Sequence, residues 1–112
     1  MLRGDVIRAR IPFAPGHAQF GERPAIIVQD DVYGAPLSTL LIVPFTSNLR
    51  ASRYPGTVLV QPDGQNGLTL PSVAMVFQIR VLDRLYCGPA LGRLDSAKLD
   101  LIFAELDRLT GR

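Results

Sequence analysis

Apolar and polar residues alternate from residue 5 to residue 13, with Ile7, Ala9, Ile11 and Phe13 on one face and Val6, Arg8 and Arg10 on the other. A period of two over this length predicts a half-buried strand whose outer face is basic. Two continuous apolar runs, residues 25–29 and 39–45, are rich in β-branched residues and predict central strands covered on both faces. Between the first two strands, residues 12–21 hold two prolines and two glycines together with His17, Gln19 and Phe20, the composition of a long loop. Gly34 and Pro36 mark turns between the second and third strands.

A second polar loop, residues 47–56, carries Asn48, Arg50, Arg53 and Tyr54, and a short strand follows at residues 57–60. Asp63-Gly64 and Asn66-Gly67 tolerate positive φ and predict a hairpin-like turn. Residues 72–78 read as a strand running on into residues 79–83, and a last short strand fits residues 90–94. The helix falls on residues 96–109. Asp95 caps it, Leu94 and Leu99 have the spacing of a hydrophobic staple, and Gly111 stops it. Leu99, Ile102, Phe103, Leu106 and Leu109 form one apolar stripe, while Leu101 and Ala104 lie off it and leave a small apolar patch. Several short strands and one terminal helix give an α+β fold built on a strongly bent sheet or small barrel.

Composition narrows the class. The 112 residues are 47% hydrophobic and 20% charged, the make-up of one globular domain spanning residues 1–112. No stretch approaches the ~18 apolar residues of a membrane span, and the first residues lack the apolar centre of a signal peptide, so the expected location is the cytoplasm. One cysteine, Cys87, and one histidine, His17, exclude an internal disulfide and a Cys/His zinc cluster. The net charge is only +2, but Lys98 is the sole lysine, so the positive charge is almost all arginine. Guanidinium groups suit phosphate and base stacking, although codon bias explains the same preference equally well.

Candidate chemistry collects at strand ends. Arg23, extended by the following Pro24, stands at the start of the second strand, and Thr46-Ser47 close the third. If the strands are neighbours, one fixed positive charge and two hydroxyls form an anion pocket. Taken singly, each has a plainer reading: Arg23 as a surface partner of Glu22, Asp30 or Asp31, and Thr46-Ser47 as turn residues bonding their own backbone. His17 is the one side chain with an ordinary pKa near neutrality, hence the candidate for proton transfer, although a histidine in such a loop is more often solvated. Arg50, Arg53, Tyr54, Gln78 and Arg80 add donors, charge and a stacking face of the kind that holds single-stranded nucleic acid.

The ordered motifs R-G-D-V at residues 3–6, G-H-A-Q-F-G-E-R-P-A at 16–25, P-F-T-S-N at 44–48, Q-I-R at 78–80 with Leu82-Asp83, and G-R-L at 92–94 run through nearly the whole chain. Together they resemble the MazF/PemK/Kid family of toxin ribonucleases. The resemblance implies an SH3-like barrel with a C-terminal helix, usually a homodimer, that cuts single-stranded RNA without a metal or other cofactor and is held inactive by an antitoxin carrying a disordered acidic segment. It implies catalytic roles for Arg23, Thr46 and His17. Ser47, Gln19, Asn48, Arg50, Arg53, Gln78 and Arg80 fall to substrate binding. Two departures stand out: Ala18 and Phe77 occupy positions where relatives often carry carboxylates, which leaves the general base unassigned. A topoisomerase poison of the related CcdB kind and a catalytically weakened RNA-binding member remain as alternatives.

Overall fold

The computed structural model describes residues 1–12 and 21–112; His17 and Gln19 lie outside the described residues. Seven strands, β1 (Asp5–Ile11), β2 (Gly21–Ile27), β3 (Thr39–Thr46), β4 (Thr57–Val60), β5 (Ser72–Met75), β6 (Arg80–Asp83) and β7 (Cys87–Arg93), precede the helix α1 (Ser96–Leu109). All pairings are antiparallel, in the order β4-β5-β3-β2-β1-β7, with β6 also pairing β3. This is the bent antiparallel sheet with a C-terminal helix expected from the sequence.

The bend is at β3. Residues 39–42 of β3 pair with β6 and residues 42–44 with β2, whereas Phe45 and Thr46 pair with β5 alone. The β2–β3 ladder therefore stops at Ala25 opposite Pro44. Pro24 and Pro44, neither with an N–H to donate, sit where pairing ends.

Both faces of β1–β2–β3 are covered. On one, Val6, Ile26, Val43 and Phe45 pack with Leu94 and Ile102 beneath α1; on the other, Ile7, Ala9, Ile11, Ala25, Ile27 and Ile42 pack with Leu40 and Leu82. Val6 was expected on the outer face but is fully buried, because α1 and its stripe cover the first turn of that face. Arg8 and Arg10, further along it, are exposed as predicted. The helix has its predicted bounds, and the Asp95 carboxylate accepts from the Lys98 N–H at 2.8 Å.

Two strand predictions need correction. The expected strand at 72–78 breaks after Met75 into a 3-10 turn, Val76–Gln78, in which Phe77 packs against the Tyr54 ring with centroids 5.8 Å apart. Arg23 does not stand at the start of β2 but inside it, opposite Ala9, because β1 pairs with residues 21–26 whatever their polarity.

Candidate nucleic-acid site at the split between β2 and β3

Where β3 leaves β2 to join β5, the sheet opens into a notch, and the notch is a cavity of about 240 Å³. Arg8, Glu22, Arg23, Pro24, Phe45, Thr46 and Ser47 form the two lips, with Leu68, Thr69, Leu70 and Ser72 opposite. Continuing the register two places past Ala25–Pro44 sets Arg23 opposite Thr46. The Arg23 guanidinium reaches across, its Nη1 donating to the Phe45 carbonyl at 3.5 Å, so a side chain spans the gap the backbone ladder has left.

The Thr46 side chain is mostly buried, and its Oγ1 accepts from the Asn48 N–H at 3.2 Å. Asn48 in turn accepts from the Arg50 N–H and caps the 3-10 turn Leu49–Arg53. This chain of local bonds turns β3 outward at Ser47, which is exposed at the cavity mouth. The predicted association of Arg23, Thr46 and Ser47 is thus present in space.

The far wall depends on residues 61–71, the connection between β4 and β5. Buried Asn66 organises it, donating from Nδ2 to the Gln61 carbonyl at 2.9 Å and accepting the Leu68 N–H at 3.0 Å. The connection then lies directly on β7: a Cβ on Gly67 would meet the Leu91 carbonyl oxygen at 2.4 Å, and one on Gly92 the Gln65 carbonyl oxygen at 2.3 Å. Only two glycines permit this backbone-on-backbone contact, which the Arg93 N–H to Gln65 carbonyl bond of 2.8 Å fastens.

Other predicted site residues stand apart. Asn48, Arg50, Arg53, Gln78 and Arg80 do not line this cavity: the first three belong to the 3-10 turn and its cap, Gln78 closes the next 3-10 turn, and Arg80 opens β6 opposite Ile42. The sequence reading missed Arg8, Glu22, Thr69 and Ser72 as cavity residues. Glu22 is notable, since it brings a carboxylate beside Arg23 although positions 18 and 77 carry none. The basic outer face of β1 was the one signal pointing to Arg8.

Chemically, one guanidinium held across the notch, a hydroxyl on each side of the β3 turn and further hydroxyls opposite suit a phosphate with developing negative charge. Among the described residues no group of three or more His, Cys, Asp or Glu side chains is arranged to hold a metal ion.

Known proteins place this geometry in a family. The chain is 26% identical over 100 residues to endoribonuclease EndoA of Bacillus subtilis, covering 89% of this chain and 85% of the relative. It is 28% identical over 107 residues to endoribonuclease MazF of Staphylococcus saprophyticus, covering 96% and 88%. The crystal structure of MazF from Deinococcus radiodurans superposes with a TM-score of 0.84 at 26% identity, over 100% of this chain and 97% of the other. A MazE-MazF crystal structure from the same organism gives 0.75 at 25% identity, over 99% and 96%. Residues 2–110 match the family described as PemK-like, MazF-like toxin of type II toxin-antitoxin system, and the chain belongs to that family.

Proposed function

We propose that this toxin is an endoribonuclease that cuts single-stranded RNA at a phosphate seated in the notch between β2 and β3. The observation that carries the reading is the meeting of Arg23, Thr46 and Ser47 in one cavity, in a chain of the toxin family whose relatives are named endoribonucleases.

The substrate's own 2′-hydroxyl is the nucleophile. Its oxygen forms a bond to the adjacent phosphorus as the P–O5′ bond breaks, giving a 2′,3′-cyclic phosphate and a 5′-hydroxyl. The proton lost from the 2′-oxygen goes to a base, and the departing O5′ takes up one. Arg23 stabilises the charge that builds on the non-bridging oxygens, and the Thr46 hydroxyl donates one more hydrogen bond. A single preorganised donor of this kind is worth about 10²–10³ in rate. His17 moves the proton, a role worth about 10²–10⁴. Ser47 at the cavity mouth, Gln19, and Asn48, Arg50, Arg53, Gln78 and Arg80 outside it hold the strand on either side.

The step uses no metal, so cleavage of a long unstructured RNA persists in EDTA and leaves 2′,3′-cyclic phosphate ends. DNA, lacking the nucleophile, stays intact. Intact RNA in EDTA, alongside a competent control nuclease that cuts it, overturns the reading. Arg23→Ala cleaving at near wild-type rate removes the arginine from the mechanism.

The active toxin is a homodimer, and its antitoxin silences it with a disordered acidic segment laid over the arginine-bearing surface, a favourable charge match. The MazE-MazF crystal structure of the Deinococcus relative supports a protein partner.

A further inference from the structure

A second cavity, of about 220 Å³, adjoins the first. Arg8, Arg10 and Glu22 form one side and Leu85, Tyr86, Cys87, Gly88 and Pro89 the other. The two cavities share Arg8 and Glu22 in their linings, so they lie side by side along β1 and β2.

The β1–β2 register explains the arrangement. Arg8 faces Pro24 and Arg10 faces Glu22, so all four share one face, while Arg23 shares the opposite face with Ala9. Arg8 and Arg10, two residues apart along an extended strand, are spaced by about 6.7 Å. Among the described residues the salt bridges are Arg93–Asp5 and Arg108–Glu105, so neither arginine is committed to a carboxylate there. Across from them, Tyr86 closes the 3-10 turn Arg84–Tyr86 with its ring partly exposed. That turn is pinned from the other side, where Arg84 donates to the Leu37 and Gly34 carbonyls. Gly88 lets β7 approach β1 closely, a Cβ there lying 2.8 Å from the Arg8 carbonyl oxygen, which sets the cavity floor.

We infer that this cavity is a nucleotide subsite that takes the RNA nucleotide next to the one whose phosphate is cut. Arg10 receives its phosphate, Tyr86 stacks on its base, and the Glu22 carboxylate accepts from a base amino edge. A guanidinium pair facing an aromatic ring is the combination that holds a single strand by charge and stacking together. Arg8, common to both cavities, bridges successive phosphates. This assignment rests on the ribonuclease reading above.

Binding of a non-cleavable strand tests the inference directly. The probe is a mixed-sequence single-stranded oligoribonucleotide with 2′-O-methyl groups throughout, which lacks the attacking hydroxyl. Arg10→Ala binds the probe more weakly and with a flatter salt dependence, the slope of log K against log salt falling by about 0.7 for the lost phosphate contact. Tyr86→Ala weakens binding about tenfold and Tyr86→Phe does not, since the stacking face is retained. Arg10→Ala and Tyr86→Ala both binding as wild type overturns the subsite while leaving the cleavage reading standing. Wild-type protein that neither binds the probe nor cuts RNA overturns both.

Discussion

Replacing Gly92 by alanine tests the packing that builds the far wall of the notch. The added methyl group would lie 2.3 Å from the Gln65 carbonyl oxygen, 2.5 Å from the Asn66 carbonyl carbon and 2.6 Å from the Gly67 nitrogen. All three are backbone atoms and cannot swing aside as a side chain tip would. Relief requires residues 65–67 to move off β7 by about 1 Å, judged against ordinary carbon contacts of about 3.5–4.0 Å. That motion breaks the Arg93 N–H to Gln65 carbonyl bond, worth about 0.5–1.5 kcal/mol, and adds an overpacking cost of about 1–3 kcal/mol. The expected loss is about 2–4 kcal/mol, read from urea unfolding at fixed protein concentration so that any subunit association is held constant. Gly64→Ala is the control. Its φ is +82° but nothing lies within 4 Å of the added Cβ, so it carries only the left-handed backbone cost of about 1–2 kcal/mol. Gly92→Ala proving no more destabilised than Gly64→Ala would refute close backbone contact as the reason for glycine at 92. Because residues 68–70 follow directly, the Gly92 variant also cleaves RNA more slowly at temperatures where it remains folded.

Further outcomes follow from the site and the core. Thr46→Val keeps the shape of a mostly buried side chain but removes its hydroxyl, so RNA cleavage falls about 10²–10³-fold with an unchanged circular dichroism spectrum; an unaffected rate would strike Thr46 from the phosphate site. His17→Ala lowers the single-turnover rate by about 10²–10⁴ and Glu22→Gln by less than about tenfold; the reverse order would move proton transfer to Glu22. Burial pushes the Cys87 thiol pKa up, with Arg84 pulling back and Asp83 adding to the rise. The folded state therefore favours the protonated thiol, a contribution present below the unfolded pKa and lost as pH climbs through the folded one. In the absence of RNA, iodoacetamide at about pH 8.5 reacts with Cys87 more slowly than with a cysteine in a short peptide, and equal rates would contradict the burial.

How far the chain can be read without its structure depends on the range of the interactions. α1 and β4 have the bounds their local patterns predict, because a capped 3.6-residue stripe and a short β-branched run are decided within a few residues. The Arg23 lip and the Thr46-Ser47 lip were also legible, as polar endings to apolar runs. The position of Arg23 inside β2 was not, since residues 21–24 are held in the strand by pairing with β1 and carry no apolar pattern of their own. Nor was the opposite wall: Leu68, Thr69 and Ser72 reach the notch through the Asn66 bonds and through glycines at 67 and 92, partners 25 positions apart. Phe77 shows the same limit from the other side. Its place was noted for a missing carboxylate, whereas its ring supports Tyr54 and packs against Ala51, Val73 and Met75.

A strand shared by two sheets makes the joint between them a point of leverage. The β2 lip belongs to one sheet, while Thr46, on the other lip, is paired into the second, and the Arg23 bridge to Phe45 crosses the gap. An anion held by both lips acts as a removable cross-link between the two halves of the fold. At a free concentration a hundred times its Kd it adds about 2.7 kcal/mol to the folded state. Inorganic phosphate, sulfate or a short oligonucleotide that binds there therefore raises the unfolding temperature, and the rise reports occupancy of the notch without any bond in RNA being cut.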